Sequence, residues 1–330
     1  MPTECFIETK IINNYDAAQT MSADSFIETK KKYIPFIGDD KMFLKNKKLK
    51  ILIPACAVVF FALCIWILYG NTAVEVNTYT VTSDEIPEEF HGLRIAQVSD
   101  LHNTEIGEDN EKLLSLLVDA EPDIIAITGD LIDSRKTDIE TAVSFAEKAV
   151  KIAPCYYVTG NHEVRTPPAR RELKSRLGEA GVLIMDNKKL SLERGDSSIT
   201  LVGLADPSYD AFLMNTDEET AAELRLQELM EGENGYTVLL SHRPELFSLY
   251  SESGADLTLS GHAHGGQIIL PFLGGIFAPN QGFFPEYDGG LYKDGTAQMI
   301  VSRGIGNSAF PLRVNNRPEL ILVELQADIS

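Results

Sequence analysis

Asp123-Ile124-Ile125-Ala126-Ile127-Thr128-Gly129-Asp130 decides the architecture. An unbroken apolar run of this length suits a strand covered on both faces, as in a sheet flanked by helices. Gly129 lets the backbone turn sharply where the run stops. Asp130 then falls just past the carboxyl end of the strand, where open α/β sheets place their ligands. A carboxylate there has two oxygens and can bridge two cations.

The same alternation repeats on either side. Strands are predicted over 93–99, 123–128 and 155–159, each followed by a helix, over 110–120, 139–152 and 169–180. Strands near 182–185, 189–193 and 198–203 precede a helix near 217–230. A strand over 236–240, a helix over 244–253 and strands over 256–260, 266–270, 298–302 and 320–325 complete the pattern. Early βαβ units and later hairpins imply mixed sheets covered by helices.

Five of these strand ends carry metal-type ligands: Asp100-Leu101-His102, Gly129-Asp130, Gly160-Asn161-His162-Glu163, Ser241-His242 and Gly261-His262-Ala263-His264. Asp100, Asp130 and Asn161 are spaced by about one βαβ unit each, so successive ligands return to one edge of the sheet. Of six histidines, five lie in these pieces and only His91 outside them. Alone, each piece has an ordinary reading as a helix cap or a polar turn. Together and in order, each after an apolar strand, they read as one metal site.

The segment 51–69 contains no charged residue, and its 19 positions suit a membrane-spanning helix. It is apolar all round, which a helix packed on a globular core has no need to be. Pro54 falls in its first turn, where proline is tolerated. Lys41, Lys45, Lys47, Lys48 and Lys50 precede it, and no Lys or Arg follows until Arg94. That bias predicts a cytoplasmic N-terminus and a body outside the membrane. No small-x-small cleavage site follows, so a retained anchor is expected. Before it, Phe6-Ile7-Glu8-Thr9-Lys10 recurs as Phe26-Ile27-Glu28-Thr29-Lys30, two copies in a polar tail. The organisation predicted is a flexible tail over 1–50, an anchor over 51–69, a linker and first strand over 70–92, and a catalytic domain over 93–330.

The net charge is −20. The first 50 residues hold nine basic and seven acidic side chains, leaving 20 and 42 of the chain's 29 and 49 for the remainder. So acidic a body argues against nucleic acid as a partner. A phosphate substrate remains open to it if metal ions supply positive charge locally. The four cysteines, at 5, 56, 64 and 155, show no metal or disulfide spacing.

The ordered motifs resemble the calcineurin-like metallophosphoesterase superfamily over roughly residues 93–325. The N-terminal anchor and the stretch Gly261-His262-Ala263-His264-Gly265-Gly266-Gln267 resemble membrane-associated bacterial phosphodiesterases related to UDP-diacylglucosamine hydrolases. The resemblance implies a four-layer αββα sandwich of two mixed sheets. It also implies that Asp100, His102 and His264 hold one metal ion, that Asn161, His242 and His262 hold another, and that Asp130 bridges them. Imidazole, carboxylate and amide ligands without thiolate suit Mn²⁺, Fe or Zn²⁺. His162, left over from ligation, would by resemblance contact phosphate and protonate the leaving oxygen. Glu163 would orient a histidine or stand as an exposed turn carboxylate.

Residues 271–292 hold nine large apolar side chains, among them Phe272, Phe277, Phe283 and Phe284, between many Gly and Pro. They read either as a hairpin packed on the sheet or as an apolar rim beside the metals, suited to a lipid-linked substrate. Arg303 and Arg313 read either as phosphate contacts or as ordinary surface ion pairs. The function expected is a membrane-anchored, dinuclear phosphodiesterase or pyrophosphatase acting on lipid or envelope molecules. A phosphatase for soluble nucleotides or phosphoproteins, and a metal-binding scaffold without catalysis, are the competing readings.

Overall fold

The computed structural model describes residues 47–307, 310 and 312–328. The duplicated N-terminal stretch lies outside them. The chain forms two units, one reaching Leu63 and the other beginning at Cys64. Helix α1, Lys47–Thr72, runs through that boundary. Its 22 residues from Ile51 to Thr72 are long and apolar enough to cross a membrane. At 1.5 Å per residue they span about 33 Å, against about 30 Å of bilayer hydrocarbon. The helix starts earlier than the apolar run, so Pro54 stands in its interior rather than its first turn. From Ile51 to Leu63 every side chain is exposed.

The body from Cys64 onward contains two six-stranded sheets. The first has the order β1-β16-β2-β3-β4-β5, built from Glu75–Ser83, Glu319–Ala327, Arg94–Val98, Ile124–Ile127, Cys155–Tyr157 and Leu183–Ile184. The second has the order β14-β15-β9-β8-β7-β6, built from Gly290–Asp294, Ala297–Val301, Leu257–Ser260, Thr237–Leu240, Ser197–Gly203 and Lys188–Arg194. Strands β2 to β5 are parallel, as are β15, β9, β8 and β7. The C-terminal β16 lies between β1 and β2, parallel to the first and antiparallel to the second.

The run that opened the reading shows why the layers number four. Ile124 and Ala126 face the second sheet, packed with Val238, Leu240 and Leu259. Ile125 and Ile127 face the opposite way, onto Leu113 and Leu117 of α2 (Glu111–Ala120) and Phe145 of α3 (Ile139–Ala149). Two more helices, α4 (Asn161–Arg165) and α5 (Pro167–Ala180), follow β4, and α5 packs on the same outer face through Leu173 and Leu177. Helix α6 (Pro207–Met214) follows β7. On the far side, Leu226 and Leu229 of α7 (Glu218–Met230) and Tyr250 of α8 (Phe247–Glu252) cover Leu239 and Met299. The result is the expected αββα sandwich, preceded by one apolar helix.

One predicted strand shrinks, and short helices appear that the apolar pattern did not predict. The strand expected over 266–270 shrinks to β10, Ile269–Leu270, because Gly265, Gly266 and Gln267 all adopt positive φ, between 60° and 63°. Helix α6 was not foreseen. Pro207 at its first position and the Asp206 cap, which accepts the Ser208 N–H at 3.2 Å, start it without strong apolar periodicity.

Candidate metal centre

The carboxyl ends of β2, β3 and β4 meet those of β8 and β9 across the gap between the sheets. Gln97 Nε2 donates to Ser260 O at 2.8 Å, and the His262 N–H reaches the Asp100 carboxylate at 3.1 Å. All seven residues predicted as ligands converge there, each nearly or fully buried. Five of them, Asp100, His102, Asp130, His262 and His264, hold left-handed backbone, with φ from 46° to 68°. Each such conformation costs roughly 1–3 kcal/mol and persists only where the surroundings over-determine it. Here they do: Asp100 N–H donates to Gly129 O and His102 N–H to Asp130 O, both at 3.0 Å.

Two clusters result. Asp100, His102 and His264 bring one ligand atom each into one group, and Asp130, His242 and His262 do so in the other. His264 Nε2 lies 3.3 Å from Asp100 Oδ1 and 3.2 Å from His102 Nε2. His242 Nε2 lies 3.2 Å from both Asp130 Oδ2 and His262 Nδ1. Asp130 Oδ2 also faces the first cluster, 3.6 Å from His102 Nε2, while its Oδ1 accepts the His162 N–H at 2.8 Å. Asn161 completes the second group, its Oδ1 3.2 Å from His242 Nε2.

This donor set fits divalent cations. His242 Nδ1 bonds to Thr128 O at 2.7 Å, and His262 Nε2 to Asn280 Oδ1 at 3.3 Å, so the other nitrogen of each ring is turned inward and, once deprotonated, offers its lone pair to a cation. Lone pairs converging in a buried space repel one another unless a cation lies between them. Two clusters of Asp and His are thus positioned to coordinate a dinuclear divalent centre, with Mn, Fe and Zn all suited.

The electrostatics agree. Burial opposes ionisation of Asp100 and Asp130, but the imidazoles of His264 and His242 hold both carboxyls below their usual range. Burial keeps His262 and His264 neutral, the latter pushed down to about 3. His242 is also penalised by burial, yet the Asp130 charge lifts it to about 10, so an entering cation would displace its proton and take over the pairing with Asp130.

His162 stands at the rim of both clusters, its ring 4.5 Å from that of His102. The Ser134 N–H donates to its Nδ1 at 3.0 Å, and Ser134 Oγ and Asp133 Oδ1 lie 3.3 and 3.6 Å from the same atom. A cleft of about 140 Å³ opens there, lined by Asp130, Asn161, His162 and His264 and by Arg135 and Arg165.

Glu163 and Arg313 depart from their sequence readings, and Arg303 takes the ion-pair alternative. Glu163 neither orients a histidine nor lies exposed. It is fully buried and accepts the N–H groups of Asp130, Ile132 and Gly160 at 2.9, 3.1 and 2.8 Å, tying the loops after β3 and β4 together. Arg303 is an ion-pair residue, bonded to Glu319 and, at 2.9 Å, to Glu75. Arg313 is buried behind His264 and donates to Asn307 Oδ1 at 3.0 Å and to Gly306 O. The arginines that do line the cleft, Arg135 and Arg165, carried no periodic signal. Their only mark was proximity to Asp130 and His162.

The fold and this site define a metal-dependent hydrolase of phosphate esters. Residues 93–266 match the family described as calcineurin-like phosphoesterase, and the chain belongs to that family. It is 30% identical over 258 residues to the metallophosphoesterase YkuE of Bacillus subtilis (strain 168), covering 77% of this chain and 86% of that protein. To the metallophosphoesterase YkoQ of the same organism it is 29% identical, covering 80% and 95%. To the phosphodiesterase YaeI of Escherichia coli (strain K12) it is 27% identical, covering 64% and 73%.

Proposed function

We propose that this protein is a membrane-anchored phosphohydrolase that cleaves phosphodiester or pyrophosphate bonds in lipid-linked or envelope molecules, with its catalytic body outside the membrane. The observation that carries the reading is the convergence of seven buried ligand-type residues beside an open cleft, in a chain with one membrane-crossing helix. The resemblance of the 261–267 stretch to membrane-associated diesterases, and the phosphodiesterase activity in the name of the Escherichia coli relative, support a diester or pyrophosphate bond over a monoester.

Asp100, His102 and His264 would hold one ion, Asn161, His242 and His262 the other, and Asp130, whose Oδ1 accepts the His162 N–H, would be shared between them. Bound there, two divalent ions would supply an activated water as nucleophile and positive charge against the phosphoryl oxygens. His162 supplies the proton to the leaving oxygen from Nε2. When the ring is protonated, Ser134 Oγ and Asp133 Oδ1 are the acceptors within reach of Nδ1. Arg135 and Arg165 at the cleft wall receive the phosphate charge.

The test is turnover by the full chain in detergent or nanodiscs, with and without added Mn²⁺, on a bis-aryl phosphodiester, an aryl phosphomonoester and a lipid pyrophosphate. Metal-dependent cleavage of the diester or the lipid pyrophosphate is expected. Cleavage of the monoester alone favours a soluble-substrate phosphatase, and no turnover with both metals bound favours a scaffold.

A further inference from the structure

Beyond the last histidine the chain folds as two short hairpins, β10 with β11 (Gly274–Gly275), and β12 (Phe277–Ala278) with β13 (Gly282–Phe283). Phe272 and Leu273 form the tip of the first. Phe277, Phe283 and Phe284 stand on the second, where the rings of Phe277 and Phe283 meet edge-on at 5.4 Å. None of the five is covered: Phe272 is wholly exposed, Phe283 74% and Leu273 64%. Phe272 and Phe284 hold φ of 69° and 54°, outliers for bulky side chains. The segment packs on the sheet through Ala278 and, further on, through Tyr287 and Tyr292. Five large apolar side chains within so short a stretch form the kind of patch that marks an interaction site.

Beside the hairpins lies the foot of α1. Val314 bridges Ile268 and accepts the Ile269 N–H at 3.1 Å. Its neighbour Arg313 exchanges two hydrogen bonds of 2.8 Å with Asn71. Arg317 holds Ala73 O at 2.9 Å and stands over the Tyr69 ring at 5.7 Å. Residues 313–317 therefore sit between the hairpin base and the end of the apolar helix. A β-bridge spans about 5 Å, so the hairpins begin within roughly two such steps of that helix end.

We propose that the hairpins over 269–284 are a second membrane contact, in which Phe272, Leu273, Phe277, Phe283 and Phe284 enter the interfacial zone of the bilayer that α1 crosses. Aromatic side chains favour that zone. The patch adjoins the only membrane-crossing helix among the described residues, which makes a bilayer its occupant rather than a second copy. The contact reaches the metal centre directly, because Pro279 lines the cleft and Asn280 bonds to His262. The cleft is thereby held against the leaflet surface, where a lipid headgroup presents its phosphate.

The test needs no turnover, so it is decided separately from the catalytic reading. The full chain carrying Trp66→Phe is placed in nanodiscs containing lipids brominated near the headgroup end of their acyl chains. Single reporters are then added by Phe283→Trp, Phe272→Trp or, on the outer face of α2, Val118→Trp. Loss of at least half of the emission at 283 and 272, with little change at 118, is expected. Emission at 283 and 272 as insensitive to bromine as that at 118 overturns the proposal. Burial of these reporters by concentration-dependent self-association, without quenching by lipid, overturns it in favour of a second copy.

Discussion

Asp130 divides its two oxygens between tasks, Oδ1 taking the His162 N–H and Oδ2 facing a histidine of each cluster. Asp130→Asn removes the charge that both clusters share. The variant is expected to lose both metals and nearly all turnover, and elemental analysis finding two tightly held ions would contradict the bridge. His162→Ala should retain its metals and lose about 10²–10⁴-fold in rate on esters with poor leaving groups, and less with nitrophenolate, which needs little protonation. An equal loss on both esters would make His162 a positioning group only. The ligands were legible because strand ends at βαβ spacing place few residue types at one edge. Glu163, Arg303 and Arg313 were not, because whether a charged side chain is buried against backbone, paired or free depends on partners far away in the chain, such as Glu75 and Glu319.

At the scale of loops and hairpins, close approach governs. A Cβ on Gly160 would meet Asp130 Oδ1 at 2.3 Å. Gly160→Ala should therefore keep its circular dichroism spectrum while metal content and activity fall, the reverse of what a remote loop glycine would show. The aromatic hairpins allow a comparison of substrates. Phe283→Ser with Phe284→Ser should raise KM for a lipid-linked substrate tenfold or more and leave a small aryl ester unaffected, since each apolar contact, if fully buried, is worth about 1.5–3 kcal/mol. Parallel losses on both substrates, with a lowered Tm, would instead mean a packing role. Composition alone left 271–292 divided between rim and packed hairpin. The structure divides it too, with Phe272, Leu273, Phe277, Phe283 and Phe284 outward and Ala278, Tyr287 and Tyr292 inward. Asp256, at the start of β9, accepts the Thr237 N–H at 2.7 Å, and burial pushes its carboxyl up to about 6. An acid raised in this way favours the folded state while protonated, so its contribution fades as pH climbs from about 4 through 6. Thermal melts of Asp256→Asn should gain on those of the parent across that interval.

For the whole molecule, the lysines before Ile51 and the absence of Lys and Arg from there to Arg94 predict a body outside the membrane. A C-terminal reporter active only beyond the membrane should be active in whole cells, and activity of a cytoplasm-only reporter would reverse the topology and remove envelope substrates from reach. The layered fold was legible in alternating apolar runs such as 123–128, whose residues face two different cores. The order of strands was not, since nothing local tells the last strand to enter between the first two.

That insertion has a consequence for how the protein is made. Glu75 must wait for Glu319 before its ladder can form, and β2 for Ile321. At about 5–20 residues per second, the ribosome needs roughly 12–50 s to supply the missing strand. Throughout that time, β1 and β2 present open edges to each other and to any neighbouring nascent chain. A premature stop just before Glu319 would therefore leave a hole in the middle of the sheet rather than a shorter end, and proteases should clear such a chain even though every metal ligand has been translated.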